Sequence, residues 1–302
     1  MKNIVEIYCL ADDLVKFMKK EAGRNSKVGR PGNLSKAEYI TLAIMKQEYG
    51  IRTNKKLYNL VKYCTPRLFS ELPSYAQFNE GLNATLPHLF MFLQIWMQIN
   101  KAHGPNVYYV DSTTMPICAN AHRYRVKVDL GLASSGKNIY GWFYGFKMHL
   151  IINYNMEIVS IKFTTGSTSD IKALDEKLTK ELMGILIGDK GYISAKKKKE
   201  LAKQGLILMT KPRKNMPHTP ATILSIMLLR SWQRIESVFG NLKHNLVFVN
   251  RYARSLTGYF AQAIAALVTY CIQKNENNAC MIGHLLTDAI SWFSYILSLH
   301  SI

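Results

Sequence analysis

The pattern of apolar and polar positions changes at about residue 100. Before it the period is helical. "LVKFMKK", "KAEYITLAIMKQEYG" and "TLPHLFMFLQIWMQINK" space their apolar residues by three and four or are apolar throughout, and "GRPGN", "YCTPR" and "LPSYAQ" interrupt them. Ser35 followed by Glu38 predicts a capping box at the start of the second run. Beyond about residue 106 the period shortens to two. "NVYYVDST" is a short β-rich run. In "GWFYGFKMHLII", Trp142, Tyr144, Phe146, Met148, Leu150 and Ile152 share one face, opposite Gly141, Gly145, Lys147 and His149. "NYNM" turns the chain into a third strand, "EIVSIKFTT".

Helices then alternate with strands. "DIKALDEKLTKEL" aligns Ile171, Leu174, Leu178 and Leu182 on one helix face, and "GILIGD" reads as a buried strand. "SAKKKKELAKQ" is a lysine-rich helix and "GLILMT" a fifth strand. "SWQRIESVFGNLKHNL" is a helix with Trp232, Ile235, Phe239, Leu242 and Leu246 on its apolar face. The order β-β-β-α-β-α-β-α predicts an α/β fold, a mixed sheet with helices packed on it. Its first three strands form a meander, its last two pair in parallel, and a right-handed crossover sets the first and fourth side by side. The helix "TGYFAQAIAALVTYCIQK" is expected to close this fold by packing Phe260, Ile264, Leu267 and Cys271 on the sheet. The expected domains are a helical region over residues 1–100, for which the chain's basic composition suggests DNA binding, an α/β region over 101–275, and an apolar tail over 276–302. The tail approaches the length of a membrane span but contains His284, Asp288 and His300. It is read as a helix docked on the N-terminal helices or on a second subunit, with no membrane partner.

Composition adds a partner. The 302 residues are 48% hydrophobic and carry a formal net charge of +19. A folded chain this basic suits a polyanion, and nucleic acid is the usual one. The five cysteines are scattered without a C-x-x-C pair, so neither a zinc site nor a disulfide framework is indicated, and they fit a reducing cytoplasm. The N-terminus carries acids where a secretory signal has its apolar core.

Three acids stand out. Asp111 is read as ending the first strand and Asp189 the fourth, each after an apolar run, and Glu236 lies on the helix that follows the fifth. Singly, a strand-end Asp reads as a turn or cap residue and a lone Glu as solvated. Together, in this order, they can meet at one point of the sheet. Converging carboxylates repel unless one is protonated or a cation joins them. Few, hard oxygen ligands suit Mg²⁺ or Mn²⁺, and a pair of such ions clamps an in-line displacement at phosphorus. Lys243, two turns beyond Glu236 with Gly240 between, is a candidate phosphate contact or a solvated lysine. Residues 190–215 hold Lys190, Lys196, Lys197, Lys198, Lys199, Lys203, Lys211, Arg213 and Lys214 against Glu200 alone, either a track for a DNA backbone or a solvated face. "HRYRVK" adds Arg123 and Arg125 as a second contact or a strand edge. His149 is read as structural.

"VDST", "GDKGY" and "RIESVFGNLK" resemble, in order, the regions bearing the first Asp, second Asp and Glu of the DDE transposases of bacterial insertion sequences. "YGFKMHL" resembles that family's second strand, and the helical N-terminus with "FSELPSYAQFNEGL" resembles the region preceding the catalytic domain in one group of them. The resemblance covers roughly residues 20 to 272. It implies a ribonuclease-H-like catalytic domain preceded by a helical N-terminal domain. It also implies a catalytic, metal-binding triad of Asp111, Asp189 and Glu236. The implied activity is Mg²⁺- or Mn²⁺-dependent cleavage at transposon ends followed by strand transfer to target DNA. Double-stranded DNA is the implied partner, a homo-oligomer on DNA the working form, and the bacterial cytoplasm and nucleoid its location. Many relatives carry Y-x₂-R-x₃-E-x₆-K. Here Glu236 and Lys243 fit, Leu229 and Trp232 replace the Tyr and Arg, and Arg234 is the candidate substitute. The interval from Asp189 to Glu236 is too short for the large β insertion of some relatives. Two other readings stand beside this one: a nuclease of the same fold that cuts without joining, and a DNA-binding derivative that has lost catalysis.

Overall fold

A computed structural model of the protein describes residues 4–21, 32–65, 68–69, 71–125, 131–211, 223–249 and 253–275. The described residues form two compact units. One is built from the residues up to Ile95 and those from Leu242 onward, the other from Trp96–Asn241.

The first unit is helical: α1 (Ile4–Glu21), α2 (Lys36–Glu48), α3 (Asn54–Cys64), α4 (Tyr75–Asn83), most of α5 (Leu86–Lys101) and α11 (Leu256–Lys274). The capping box expected at α2 is present, with Ser35 N–H donating to Glu38 Oε2 at 2.6 Å and Glu38 N–H to Ser35 Oγ at 3.1 Å. Ser74 and Gln77 repeat the device at α4. On α2, Ile40, Leu42, Ile44 and Met45 are all buried, so the helix is covered on every side, as a nearly continuous apolar sequence requires. It packs against α1 and α11. Alone among the described helices, α11 is long and apolar enough to cross a membrane, but most of its surface is buried in this unit against α2 and α4. The sequence pattern assigns α11 to the sheet; it belongs with the helical unit instead. Its small Ala261, Ala263, Ala265 and Ala266 permit close helix packing, and Gln262 donates to Val247 O and accepts from Lys46. The tail, 276–302, lies outside the described residues.

The second unit holds a six-stranded mixed sheet: β1 (Val107–Ala119), β2 (Ser134–Asn138), β3 (Gly141–Asn153), β4 (Ile158–Thr165), β5 (Gly184–Gly188) and β6 (Leu206–Thr210). The order is β2-β3-β1-β5-β6, with β4 also pairing β3. The two share one edge of β3, β2 against residues 141–145 and β4 against 146–152. β1 and β3 are antiparallel, while β1–β5 and β5–β6 are parallel. The expected meander and the adjacency of first and later strands are both observed. The additional strand β2 has no sequence signal: "SSGKN" lacks apolar alternation, and only its pairing makes it a strand.

Three further differences have local causes. Both faces of β3 are covered from Phe146 onward, so Ile151 and His149 are as buried as Leu150, and only Trp142 at its outer end is exposed. The expected single helix after β4 is two short ones, α6 (Asp170–Ala173) and α7 (Glu176–Thr179). Asp175 breaks it: its side chain accepts from Leu178 N–H at 3.2 Å as an N-cap and pairs with Lys162 at 2.5 Å. The apolar set nevertheless reaches the core, where Leu174, Leu178 and Leu182 join Tyr108, Val110 and Leu186. Part of "HRYRVK" lies in a 3₁₀ turn, Asn120–Arg125, and the rest lies outside the described residues.

α8 (Ala195–Lys203), α9 (Ile223–Arg230) and α10 (Gln233–His244) complete the element order. The division between the units falls inside α10. Gly184 starts β5 at φ +115, where its N–H donates to Gly205 O, and a Cβ there would stand 2.2 Å from the backbone oxygen of Asn106. Gly184→Ala is therefore expected to destabilise the fold by about 2 kcal/mol or more. Denaturant melts test this; an unchanged midpoint would mean the strand end tolerates a side chain.

Candidate active site

β1 and β5 run in parallel, with Val110 opposite Gly188 as their last pair. The next residues are Asp111 and Asp189, so two carboxylates follow the point where the parallel pairing stops. This is where open α/β sheets place their ligands. Asp189 lies just past β5, whereas β1 runs on against β3 to Ala119, so Asp111 does not end its strand as the sequence pattern suggests. Asp189 also precedes a 3₁₀ turn, Lys190–Tyr192, but its side chain makes no cap hydrogen bond and stays available.

Glu236 approaches Asp111 from α10, near enough for its charge to act on that carboxyl. Ile235, Val238, Phe239 and Leu242 bury one face of that helix, as its spacing predicts, and Glu236 is exposed beside that face. Two contacts fix α10 to β1. Tyr109 OH and Ser231 Oγ are 2.8 Å apart, and Trp232 Nε1 donates to Val110 O at 3.5 Å. The Trp232 indole holds the helix to the residue just before Asp111.

Asp111 is partly buried, and burial first of all pushes its carboxyl up to about 7. The Ser112 N–H opposes this, while the charges of Asp170, Asp189 and Glu236 add to it. Asp111 is thus within electrostatic reach of both other expected acids. None of them forms an ion pair with a described residue. As placed, no three His, Cys, Asp or Glu among the described residues are close enough to hold one ion together. The donor chemistry nevertheless fits a hard divalent cation. It is all carboxylate oxygen, and Asp111 is a half-buried acid that lacks an ion-pair partner among the described residues and sits near other acids.

A fourth acid, Asp170, is absent from the set the sequence pattern marks out. It opens α6 behind Ser169. Its Oδ1 accepts from Ser112 Oγ at 2.8 Å and from Lys147 Nζ at 2.8 Å, and lies 3.8 Å from His149 Nδ1. A Cβ on Gly191 would stand 3.3 Å from its Oδ2. Asp170 therefore grips the residue that follows Asp111. Its own charge is neutralised by Lys147, which distinguishes it from the other three. The signal is present in "TSD", an acid in the first turn after a serine, but nothing in the sequence pairs it with Lys147. His149 is fully buried, with Nε2 2.9 Å from Thr164 Oγ1, and burial brings its pKa down to about 4, so it is neutral near pH 7. Tyr192 is also buried below the acids, and its hydroxyl, near Ser112, has no hydrogen bond of acceptable geometry.

The basic candidates separate. On α8, Lys196, Lys198 and Lys199 are exposed and unpaired among the described residues, whereas Lys197 pairs with Glu200 at 2.8 Å. Lys243 is exposed on α10, and a Cβ on Gly240 would meet nothing within 4 Å. Arg234 donates to Tyr154 O at 2.7 Å and stacks on the Tyr154 ring at 4.1 Å. That turn follows Asn153, which pairs with Tyr108, so Arg234 is committed upstream of Asp111. Lys211 instead approaches the Trp232 ring, at 5.7 Å. Arg123 stacks on Tyr124 and donates to Ser135 Oγ at 3.4 Å. Arg213 and Lys214, and the side chain of Arg125, lie outside the described residues.

Residues 101–255 match the family model of the transposase DDE domain. The chain belongs to that family. The DDE domain match runs from Lys101 at the end of α5 to Ser255, the N-cap of α11, and contains Asp111, Asp170, Asp189 and Glu236. Enzymes of the family are of the nucleotidyl-transferase type and use divalent metal ions. A solved structure of the piggyBac transposase, in a synaptic complex with hairpin DNA, is similar in fold. It aligns over 97% of this chain and 81% of its own, at 10% identity and a TM-score of 0.51. No curated protein matches the sequence. Family and fold together support a transposase function for this DDE domain.

Proposed function

We propose that the protein is the transposase of a bacterial insertion sequence, working on DNA in the cytoplasm as a homo-oligomer. In this reading it cleaves the transposon ends and joins the freed 3′-hydroxyl to target DNA. The strand order, with a meander followed by parallel strands and acids just beyond the β1–β5 pairing, supports a ribonuclease-H-like domain. The placement of Asp111 and Asp189 after the last β1–β5 pair carries the proposal. Asp111, Asp189 and Glu236 would hold Mg²⁺ or Mn²⁺, which when bound supplies charge neutralisation at the attacking and leaving oxygens.

The chain's own residues do the rest. Asp170 and Ser112 hold the strand that bears Asp111, and Trp232 and Tyr109 hold α10, so the carboxylates are preorganised by packing. His149, neutral and buried, is excluded from proton transfer with solvent. The exposed lysines of α8 and Lys243 would take backbone phosphates, and Arg123 beside Tyr124 would add to them. Incubating the protein with linear DNA carrying the element's ends, with Mg²⁺ and with chelator, tests the function. Cleavage and joining are expected only with metal. Cleavage without joining would favour a nuclease, and binding without either would favour a derivative that has lost catalysis.

Replacing Lys196, Lys198 and Lys199 together is expected to weaken binding to all DNA sequences alike. The slope of log K against log salt should become shallower by roughly 0.9 for each phosphate that the variant no longer neutralises. Lys197, held by Glu200, should contribute least. An unchanged slope would make α8 a solvated face.

A further inference from the structure

The helical unit contains a cavity of about 420 Å³ whose lining includes two cations and no acid. The first cation is Lys46. It is only 4% exposed, and its Nζ donates to Asn54 Oδ1 and Gln262 Oε1, both at 2.5 Å. Both acceptors are neutral amides, and they use two of the three ammonium protons. Burial lowers the Lys46 pKa to about 8. A buried ammonium without a countercharge is costly and needs either deprotonation or an anion.

The second cation is Arg254, exposed at the rim, with no hydrogen bond or ion pair among the described residues. Two helices also begin on the cavity. Thr53 caps α3 and Ser255 caps α11, so the positive ends of two helix dipoles meet there. Asn83 completes the lining with an amide that has no hydrogen-bond partner among the described residues. Room for that amide depends on Gly258, because a Cβ there would stand 2.6 Å from Asn83 Oδ1.

We propose that this cavity binds the phosphate of a single nucleotide, with Lys46 and Arg254 on the phosphate and Asn83 facing the base. The cavity has the size of a small-molecule site and takes one nucleotide. The buried ammonium, the free guanidinium and the two helix ends all select an anion. The free amide, which offers both a donor and an acceptor, suits a base edge. The inference is independent of the transposase reading, since it uses no residue of the sheet unit.

Calorimetric titration of the full chain with deoxyadenosine monophosphate, inorganic phosphate and deoxyadenosine tests it. The two phosphates should bind and the nucleoside should bind more weakly. Arg254→Ala and Lys46→Met should each weaken both phosphates by about tenfold or more, the loss expected for one charge-assisted hydrogen bond. Asn83→Ala should weaken the nucleotide and leave inorganic phosphate unchanged. Lys19→Ala, which removes an equal charge from exposed α1, should change either by less than about twofold, since an isolated surface charge is screened. A 5′-phosphorylated single-stranded oligonucleotide that competes with the mononucleotide would identify a DNA strand as the source, and one that does not would identify a free nucleotide. The proposal is overturned if neither phosphate binds, or if Arg254→Ala binds both as Lys19→Ala does. Because Arg254 is exposed, its variant remains informative even if Lys46→Met fails to fold.

Discussion

Asp111→Asn, Asp189→Asn and Glu236→Gln are each expected to reduce metal-dependent DNA cleavage by at least about a hundredfold, the scale of losing one preorganised electrostatic group. DNA binding should persist, because the phosphate contacts proposed for α8 and Lys243 are elsewhere. Each change keeps the side chain's shape and removes its charge. Asp170→Asn is the informative comparison. Asp170 is already paired with Lys147 and bonded to Ser112, so its loss should loosen β1 near Asp111 without removing a ligand. Cleavage and binding assays on the four variants, with Mg²⁺ and with Mn²⁺, measure this. Full activity in a variant of any of the first three would remove that residue from the site. A complete loss in Asp170→Asn, with the fold intact, would make Asp170 a ligand.

Asp111→Asn is also expected to stabilise the metal-free protein. Asp111 ionises near 7 in the folded chain, against 3.8 for an ordinary aspartate. Below pH 3.8 it is protonated in both folded and unfolded states and contributes nothing. Between 3.8 and 7 the folded chain holds the proton more tightly, so stability falls as pH rises; above 7 the loss is complete. The full difference corresponds to about 4 kcal/mol, and the partial exposure of Asp111 reduces this to about 2. Thermal melts in chelator should therefore show the variant about 4 °C or more above the parent at about pH 8, converging with it toward about pH 4. Adding Mg²⁺ should raise the melting temperature of the parent and not of the variant. A variant less stable than its parent in chelator at the higher pH would mean that the Asp111 charge is already compensated in the folded chain.

Much of the sheet unit was legible before its structure. Period-two alternation located β3 and β4, and apolar runs ending in an acid located β1 and β5. The i, i+3, i+4 spacing around Glu236 located α10, because a half-buried element must repeat its apolar residues at its own period. Asp111 and Asp189 were legible because each follows an apolar run, and Glu236 because it stands beside the apolar face of a helix otherwise rich in cations. The lysine run of α8 was legible as a charge, but not as three free cations and one held by Glu200.

What sequence alone determined here is most of the elements and the acids that follow or flank their apolar runs, since periodicity and turn residues act over a few neighbours. Tertiary structure alone decided which surfaces those elements share. β2 is a strand only because β3 lends it an edge, and α11 lies with α2 and α4 because small residues and Gln262 fit there. Asp170 reaches Ser112 and Lys147 from a different element, and Lys46 is buried among amides from α3 and α11. Each of these depends on groups distant in the chain, brought within hydrogen-bond range by packing, and no local pattern encodes such a distance.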